Sequence, residues 1–411
     1  MLTVQEAETV IFKLVQPLQA EHHTELIELR SSLNRILAAP IVSKLDFPHW
    51  DNSAMDGYAV RFEDVASCSV DRPVVLTIIE EIPAGSAPQK IVQSGQAARI
   101  LTGSMMPDGA DTIVMQEETT RTGNQVSILS SPKNQGAFVR RRGAYYQAGN
   151  ELLPAGIVLK APEIAVLAAA QCVQVPVFRR PRVAILSTGN ELVTPDQPLR
   201  PGQIVDSNQF ALEALIAQMN AELISIGIVR DDPDALKQAI HNAIQSADVV
   251  ISSGGVSVGD YDYVDRILSE LGAEIHIRSI RVKPGKPLTF ATFSNSTLYF
   301  GLPGNPVSAL VTFWRFVDPA IRKLSGLAKN WKAAFITAIN AQDLKSDGKR
   351  ETYLWGRVEI VNGADQFSLA GGQQISGNLI NLAQTNALGV MPIDTSHLAQ
   401  GAPIQVLRIG S

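Results

Sequence analysis

The segment from Ser252 to Asp262 combines residue types that could hold an anionic ligand. It begins with two serines, continues through Gly254 and Gly255, and ends with the carboxylates of Asp260 and Asp262. Consecutive glycines let the backbone approach a ligand closely, and amides at the start of a following helix can bind phosphate or another oxyanion. The segment matches neither GxGxxG nor GxxxxGK(S/T), so it predicts an oxyanion site of another kind. Helix capping by the aspartates is the alternative, but it leaves the serines and glycines unexplained.

Two other loops place carboxylates after predicted strands. Asp231 and Asp232 precede Pro233, a residue that suits the first turn of a helix. Asp232 is then expected to be the N-cap, whereas Asp231 is free to bind a hard cation such as Mg²⁺. Glu191 ends a loop of hydroxyls and glycine that begins at Leu186. Taken by itself, this loop is more typical of a turn and helix cap than of a binding site. The acidic pair therefore indicates a magnesium site, with a structural cap as an equal alternative.

Lysines and prolines provide further candidates. Lys283 and Lys286 lie in a Lys-Pro-Gly-Lys-Pro sequence, and residues 301–308 read Gly-Leu-Pro-Gly-Asn-Pro-Val-Ser. Proline and glycine would fix these loops and the lysines could neutralise phosphate, although a rigid connector is the alternative. The stretch from Asp51 to Tyr58 and the arginine run at 140–142 are, by themselves, typical of a turn and a solvated surface.

The elements that must position these loops alternate between strand and helix. Apolar runs at 183–186, 223–229 and 248–252 alternate with helical patterns at 211–219, 234–244 and 261–271. Repeated β-α units predict a mostly parallel, doubly wound sheet. Ligands bind beyond the carboxyl ends of the strands in such sheets, which is where the candidate loops fall.

The flanking regions have other patterns. Thr3 and Glu6 show capping-box spacing ahead of a helical apolar pattern, which predicts a first helix. From about 59 to 131, and again beyond 326, short β-rich runs are separated by turn residues. These runs predict a small β domain and a C-terminal β barrel.

Composition limits the class of protein. The 411 residues include 35 Lys plus Arg against 40 Asp plus Glu, so nothing attracts the chain as a whole to nucleic acid. Cys68 and Cys172 have neither disulfide-framework nor zinc spacing, which favours a reducing cytoplasm. No apolar run reaches the roughly 20 residues that a bilayer requires, and the N-terminus lacks a signal-peptide pattern. The residues alone predict a cytoplasmic α/β protein with an oxyanion site and a magnesium site.

Five separated motifs resemble those of the molybdopterin molybdenumtransferases and the related E domain of gephyrin. They start at Asp51 (DNSAMDGYAV), Ser187 (STGNEL), Ser252 (SSGGVSVGDYDYV), Lys283 (KPGKP) and Gly301 (GLPGNPVSA). Their order and spacing match along nearly the whole chain. The resemblance implies a multidomain α/β and β fold. Its parts are an elongated N-terminal and linking domain (1–44 and 146–180), a small β-rich domain (45–145), a doubly wound α/β molybdopterin-binding domain (181–327) and a C-terminal β barrel (328–411).

The resemblance also implies a reaction and partners. Molybdate and adenylylated molybdopterin are the substrates, the phosphoanhydride is hydrolysed with Mg²⁺, AMP leaves, and molybdenum joins the dithiolene sulfurs. The working unit is implied to be a homodimer in which the doubly wound domain of one subunit faces the β domain of the other. Molybdopterin adenylyltransferase is the implied substrate donor, and molybdoenzymes or cofactor carriers would receive the product.

Roles carry over to the positions that match the motifs. The implied catalytic residues are Asp56, Glu191 and Asp262, and the implied metal ligands are Glu191, Asp231 and Asp262. The implied ligand-binding residues are Thr102, Ser253, Gly254, Gly255, Ser257, Lys283, Lys286, Pro303, Pro306, Arg350 and Ser376. These roles suit the residue types, because Mg²⁺ prefers hard oxygens and phosphates bind lysines and backbone amides.

One position departs from the family pattern. Relatives commonly follow the arginine run with Gly-Glu-Asp, whereas this chain has Gly143, Ala144 and Tyr145. With both carboxylates missing, a molybdopterin-binding or scaffold member with weakened catalysis is one alternative function. An adenylyltransferase, which resembles the doubly wound domain alone, is the other. The additional β domains and the motif at Asp51 oppose that second alternative.

Overall fold

The computed structural model describes residues 1–255 and 261–409, and for residues 261–263 it describes the backbone only. The chain forms two compact units. The first unit comprises Met1–Ala39, Ala155–Ala165 and Val173–Ser411, and the second comprises Pro40–Pro154 and Val166–Cys172. Among the described residues, no helix has the length and apolar character needed to cross a lipid bilayer.

The first helix begins with the predicted capping box, in which the side chains of Thr3 and Glu6 each accept a hydrogen bond from the other residue's backbone N–H. A π-helical turn, Phe313–Val317, joins the last two helices. The α-helices are α1 (Val4–Leu14), α2 (Ala20–His23), α3 (Phe62–Val65), α4 (Ala161–Ala169), α5 (Ser207–Gln218), α6 (Pro233–Ser246), α7 (Tyr261–Glu270), α8 (Pro306–Thr312) and α9 (Asp318–Leu324).

The strands are mostly short, and the longest lies in the C-terminal region. They are β1 (Thr24–Glu28), β2 (Ile41–Val42), β3 (Asn52–Ser53), β4 (Gly57–Val60), β5 (Val74–Ile82), β6 (Gln96–Ile100), β7 (Thr112–Met115), β8 (Thr119–Thr122), β9 (Gln125–Ile128), β10 (Val139–Arg140), β11 (Glu151–Leu153), β12 (Gln174–Phe178), β13 (Arg182–Thr188), β14 (Leu192–Val193), β15 (Ile204–Val205), β16 (Glu222–Val229), β17 (Val249–Ser253), β18 (Glu274–Ser279), β19 (Val282–Lys283), β20 (Pro287–Thr292), β21 (Leu298–Leu302), β22 (Phe335–Asn340), β23 (Leu344–Lys345), β24 (Glu351–Val361), β25 (Ala364–Leu369), β26 (Ala387–Met391), β27 (His397–Leu398) and β28 (Pro403–Arg408).

The predicted doubly wound sheet is the centre of the first unit. Its strand order is β16-β13-β17-β21-β20-β18. The first four strands run parallel, and β20 and β18 extend the sheet with antiparallel pairings. The sheet is therefore mostly parallel, as the sequence predicts.

Both faces of this sheet are covered by helices. Val183 and Ile185 of β13 pack into a core that includes residues of α1, α5, α8 and α9. Ala184 and Leu186, which alternate with them, pack on the other face against α6 and α7. Because successive side chains of a strand point to opposite faces, this alternation buries the strand on both sides and leaves its loops at the carboxyl edge to carry the polar residues.

The C-terminal region of the first unit is a closed barrel, as predicted. Its strands follow the order β24-β25-β22-β28-β26, and pairing between β24 and β26 closes the circle. Strand β19 pairs in parallel with the start of β24, bringing Lys283 opposite Thr352. The barrel is therefore joined directly to the predicted lysine-containing loop.

The second unit contains the predicted small β-rich region. Its six-stranded sheet has the order β7-β4-β6-β5-β9-β8. Apolar residues of these strands, including Tyr58, Leu76 and Val114, form its core. The motif at Asp51–Tyr58 spans β3 and the start of β4, so Asp56 lies on a short loop that is held at both ends by strands.

Candidate active site

A cavity of about 1050 Å³ lies at the carboxyl ends of the parallel strands in the first unit. Its walls come from the loops after β13, β16, β17 and β21 and from the start of α5. Seven of the predicted site residues line it: Glu191, Asp231, Ser253, Gly254, Gly255, Pro303 and Pro306. Ser257 lies outside the described residues, and the description of Asp262 is limited to its backbone in α7.

The carboxylate of Asp231 is bonded to the neighbouring loop after β13. Its Oδ1 accepts a hydrogen bond of 2.5 Å from the Thr188 hydroxyl, and its Oδ2 accepts one of 3.1 Å from the backbone N–H of Asn190. Asp232 instead caps α6, because its side chain accepts a 2.8 Å hydrogen bond from the N–H of Ala235. The cap assignment is therefore confirmed for Asp232, and Asp231 remains available to the cavity.

Glycine is required where the loops after β13 and β17 meet. Gly254 and Gly255 have φ angles of 89° and 66°, a region that disfavours other residues. A Cβ at Gly254 would lie 2.3 Å from the carbonyl oxygen of Thr188, and one at Gly255 would lie 2.8 Å from Cγ2 of the same threonine. Side chains here would separate the loops, so the glycines keep bare backbone at the cavity wall.

Asn208, at the start of α5, joins two of the predicted loops. Its Nδ2 donates hydrogen bonds of 2.7 Å to Oγ of Ser253 and 2.8 Å to the carbonyl oxygen of Gly304. The motifs in the sequence identify neither this residue nor the nearby Asp206, which caps α5 by accepting a hydrogen bond from the N–H of Gln209. An Asp-Ser-Asn sequence before a helix is typical of a cap, and this weak signal does not distinguish a site residue from a structural one.

Asp206 and Asn208 also contribute buried acceptor atoms. Both line the cavity, and their exposed fractions are 3% and 7%. Oδ2 of Asp206 and Oδ1 of Asn208 find no hydrogen-bond partner among the described residues. Since burying an unpaired acceptor is costly, these atoms are suited to accept hydrogen bonds from a bound molecule.

Two carboxylates in the cavity suit a magnesium ion. The Glu191 carboxylate occupies space that a side chain at Gly189 would fill, because a Cβ there would lie 2.7 Å from Glu191 Oε2. Glu191 and Asp231 line the same cavity, although the described residues contain no group of three or more His, Cys, Asp or Glu able to hold a metal. Mg²⁺ is commonly held by one or two carboxylates together with waters and substrate phosphates. The two oxygen donors fit that arrangement.

Among the described residues of the first unit, four of the predicted ligand-binding residues do not line the cavity: Lys283, Lys286, Arg350 and Ser376. Lys283 Nζ is 3.1 Å from Asp347 Oδ2, and Arg350 Nη2 is 3.7 Å from the same oxygen. The carbonyl of Ser376 accepts a hydrogen bond of 3.1 Å from the N–H of Val307 at the start of α8. The side chain of Lys286 is exposed. The structure therefore brings Lys283 and Arg350 together and places Ser376 beside a cavity-lining loop.

In the second unit, Asp56 and Thr102 form the predicted polar pair. Both the hydroxyl and the backbone N–H of Thr102 donate hydrogen bonds of 2.7 Å to Asp56 Oδ1. These two bonds lower the pKa of the Asp56 carboxyl, because they stabilise its ionised form. Asp56 is therefore held as a carboxylate.

Two of the three arginines in the run at 140–142 pair with aspartates. Arg141 Nη1 lies 2.7 Å from Asp51 Oδ2, and Arg142 Nε lies 2.6 Å from Asp46 Oδ2. Tyr145 is 66% exposed. The turn thus presents a phenol where the family resemblance predicts an acid, and the two aspartates that contact the arginine run are already paired.

Family models match three successive parts of the chain. The model described as "MoeA N-terminal region (domain I and II)" matches residues 2–170. "Probable molybdopterin binding domain" matches residues 184–323, which contain most of the cavity wall. "MoeA C-terminal region (domain IV)" matches residues 337–409.

Full-length relatives agree with these matches. The chain is 58% identical over 411 residues to a molybdopterin molybdenumtransferase from Nostoc sp., covering 100% of this chain and 94% of the relative. It is 37% identical over 346 residues to one from Haemophilus influenzae, covering 84% and 83%. The crystal structure of a molybdopterin biosynthesis MoeA protein from Pyrococcus horikosii superposes with a TM-score of 0.83 at 31% identity, covering 99% of both chains. The chain therefore belongs to the molybdopterin molybdenumtransferase family of molybdenum cofactor biosynthesis.

Proposed function

We propose that this protein inserts molybdate into adenylylated molybdopterin and releases AMP. The observation that carries the proposal is the cavity at the carboxyl edge of the doubly wound sheet, where glycine backbone, Asp231 and Glu191 come together. This position is where ligands bind in such sheets. Bare backbone suits a phosphate-containing molecule, and the buried acceptors of Asp206 and Asn208 suit its hydroxyl or N–H groups.

The proposed reaction has two balanced parts. Water adds to the phosphoanhydride, whose P–O bond breaks to give AMP and the phosphate of molybdopterin. Molybdenum forms bonds to two dithiolene sulfurs, and one oxo group leaves as water with the two thiol protons. Asn208 fixes Ser253 and Gly304 around the substrate, and Asp231 is oriented by Thr188. Such fixed groups lower the cost of reaching the reactive geometry.

Glu191 and Asp231 are the described residues that would hold Mg²⁺, with the side chain of Asp262 proposed as a third ligand. A bound cation would neutralise phosphate charge and stabilise the leaving AMP. Two observations support this magnesium site. Glu191 and Asp231 line the same cavity, and the absence of a side chain at Gly189 leaves room for the Glu191 carboxylate.

The proposal extends to a homodimer that works in the cytoplasm. Molybdopterin adenylyltransferase would supply the substrate, and molybdoenzymes or cofactor carriers would take the product. The resemblance to the family supports these statements.

Sedimentation measures the dimer directly. Mixing inactive Asp56→Asn and Asp231→Asn subunits tests whether a dimer shares its catalytic groups, since a mixed dimer would then regain activity; no recovery despite demonstrated subunit exchange would reject sharing.

One assay tests the reaction. The purified protein is incubated with adenylylated molybdopterin, Mg²⁺ and molybdate, and AMP release and molybdenum incorporation are followed together. We expect both to proceed in step. Binding of the pterin without either product would instead support a scaffold role, the second candidate function. The observation that favours this candidate is the absence of the family's paired acids at Ala144 and Tyr145.

A further inference from the structure

Asp347 bridges two cations that the family resemblance assigns to ligand binding. Its Oδ2 lies 3.1 Å from Lys283 Nζ and 3.7 Å from Arg350 Nη2. Lys283 comes from β19 and Arg350 precedes β24, and these strands pair in parallel. Two positive groups from different segments therefore share a single carboxylate oxygen.

The position of Asp347 is fixed by its own backbone. Its Oδ1 accepts a 3.0 Å hydrogen bond from the N–H of Lys349, two residues further on. Arg281 supports the same turn, because its Nη2 donates a 3.3 Å hydrogen bond to the carbonyl of Lys349. The carboxylate is thus presented to the two cations by an ordered turn.

Both cations remain accessible to an ion from solution. The side chain of Lys283 is 44% exposed and that of Arg350 is 29% exposed. Lys283 and the Lys349 N–H lower the pKa of the Asp347 carboxyl, so Asp347 carries a negative charge near neutral pH. An incoming anion must displace an anion that is already present.

We propose that Asp347 lowers the affinity of this site for a tetrahedral oxyanion by competing with it for Lys283 and Arg350. The inference rests on the proposed function, because it takes molybdate as the oxyanion. A carboxylate with one negative charge resembles one edge of a tetraoxo dianion. The dianion has the stronger attraction to two cations. Every incoming anion must displace the same carboxylate, so Asp347 weakens the binding of all of them by a similar factor.

Asp347→Asn is the informative change. An asparagine keeps an oxygen that can accept the Lys349 N–H, so the turn is retained while the competing charge is removed. We expect the dissociation constant for molybdate to fall by about two- to fivefold, the range that a partly exposed ion pair contributes. Binding of a monoanion such as formate should tighten by a similar factor, because it has to displace the same carboxylate.

Asp343→Asn is the matched control. Asp343 is also a carboxylate of the barrel region, accepts the N–H of Gln400 and lies 3.5 Å from His397. Among the described residues its side chain contacts Gln400 and His397 rather than Lys283 or Arg350, so its loss should leave molybdate affinity unchanged. Lys283→Ala should weaken molybdate binding, both in the wild-type background and in the Asp347→Asn background. Asp347→Asn should change the dissociation constant less in the Lys283→Ala background than in the wild type.

Two measurements separate this inference from the proposed function. Calorimetry with molybdate alone, with sulfate as a competing dianion, reports on the cations without requiring turnover. The insertion assay reports on the KM for molybdate, which should fall in Asp347→Asn. Tighter calorimetric binding without insertion in any variant would sustain the inference and reject the function. Insertion in the wild type with an unchanged dissociation constant in Asp347→Asn would overturn the inference alone. Undetectable oxyanion binding in both proteins would also overturn it.

Discussion

The hydroxyl of Thr188 donates a hydrogen bond of 2.5 Å to Oδ1 of Asp231, joining the loops that follow two neighbouring parallel strands. Asp231 also lines the cavity. Asp232, the next residue, performs the capping that Asp231 could otherwise have provided. Of two adjacent aspartates, one therefore lines the cavity and the other caps α6.

The first prediction separates these two roles. Asp231→Asn should reduce molybdenum insertion by about a hundredfold or more, because a metal-associated carboxylate contributes several kcal/mol to transition-state stabilisation. The Asn oxygen can still accept the Thr188 hydroxyl, so the fold should persist. Rates of AMP release and thermal unfolding curves measure the two effects.

Asp232→Asn is the control for this prediction. Asparagine is as good an N-cap as aspartate, so both turnover and stability should remain close to those of the wild type. Equal loss of turnover in the two variants would contradict the separate roles.

The second prediction concerns Asn208. Asn208→Ala removes the hydrogen bonds that hold Ser253 and the carbonyl of Gly304. We expect the KM for adenylylated molybdopterin to rise about tenfold, the effect of losing roughly 1.4 kcal/mol of hydrogen bonding in the bound state. Steady-state kinetics with varied pterin concentration measure it.

Gln209→Ala provides a matched comparison. Gln209 is the next residue of α5 and is 8% exposed. Its side chain donates hydrogen bonds to Glu213 and Ser225, and none of these three residues lines the cavity. Its loss should lower stability to a similar extent but leave the KM unchanged. A similar rise in KM for both variants would point to general loosening of α5.

The third prediction uses the hydrogen bonds between Thr102 and Asp56. Thr102→Val removes the hydroxyl but retains the backbone N–H, so the pKa of Asp56 should rise toward its usual value of 3.8. If turnover requires ionised Asp56, the acid limb of the pH-rate profile moves to higher pH. Thr102→Ser should restore the original profile. An acid limb that stays in place in the valine variant would show that Asp56 does not control it.

The difference between Asp232 and Asn208 shows what the sequence can predict. Asp232 acts on its own helix, and the adjacent Pro233 is enough to identify it as a cap. Asn208 acts on Ser253 and Gly304, which come close only when β17 and β21 take neighbouring places in the sheet. Local patterns likewise predict the parallel strands of the sheet. They do not give the antiparallel pairings of β20 with β21 and of β18 with β20, which depend on tertiary structure.

The fourth prediction concerns stability and pH. Burial raises the pKa of Asp248, but the guanidinium of Arg179 and the backbone N–H of Arg182 outweigh it and hold the pKa below its usual 3.8. Its stabilisation is therefore present above the unfolded-state pKa of about 3.9 and is lost as pH falls through the lower folded-state value. Asp248→Asn should reduce the free energy of unfolding by about 2 kcal/mol at pH 7.

Urea unfolding at pH 7 and at pH 3 tests this prediction, and the two proteins should differ less at the lower pH. The partly exposed ion pair of Asp365 with Arg408, 3.6 Å apart, supplies the control. Asp365→Asn should cost less than about 1 kcal/mol at either pH. A constant difference between wild type and Asp248→Asn across this range would contradict the role of the ionised form.

The fifth prediction concerns the turn that follows the arginine run. Tyr145 is exposed, and a phenol with a reference pKa of about 10 stays neutral near pH 7, so it cannot replace a carboxylate as a cation ligand. Asp46 and Asp51 do not compensate, because each is paired with an arginine. If the family's acidic pair supports the metal or molybdate, this protein should require higher concentrations of magnesium or molybdate than its relatives.

Restoring the acids tests that requirement. The double change Ala144→Glu with Tyr145→Asp should lower the magnesium or molybdate concentration at half-maximal insertion, while the affinity for adenylylated molybdopterin stays the same because the cavity loops are untouched. Tyr145→Phe, which removes the hydroxyl without adding charge, should follow the wild-type curve. Titrating each ion against insertion rate for the three proteins decides the matter. Overlapping curves would show that the departure is neutral, and the scaffold role would then lose the sequence feature that favours it.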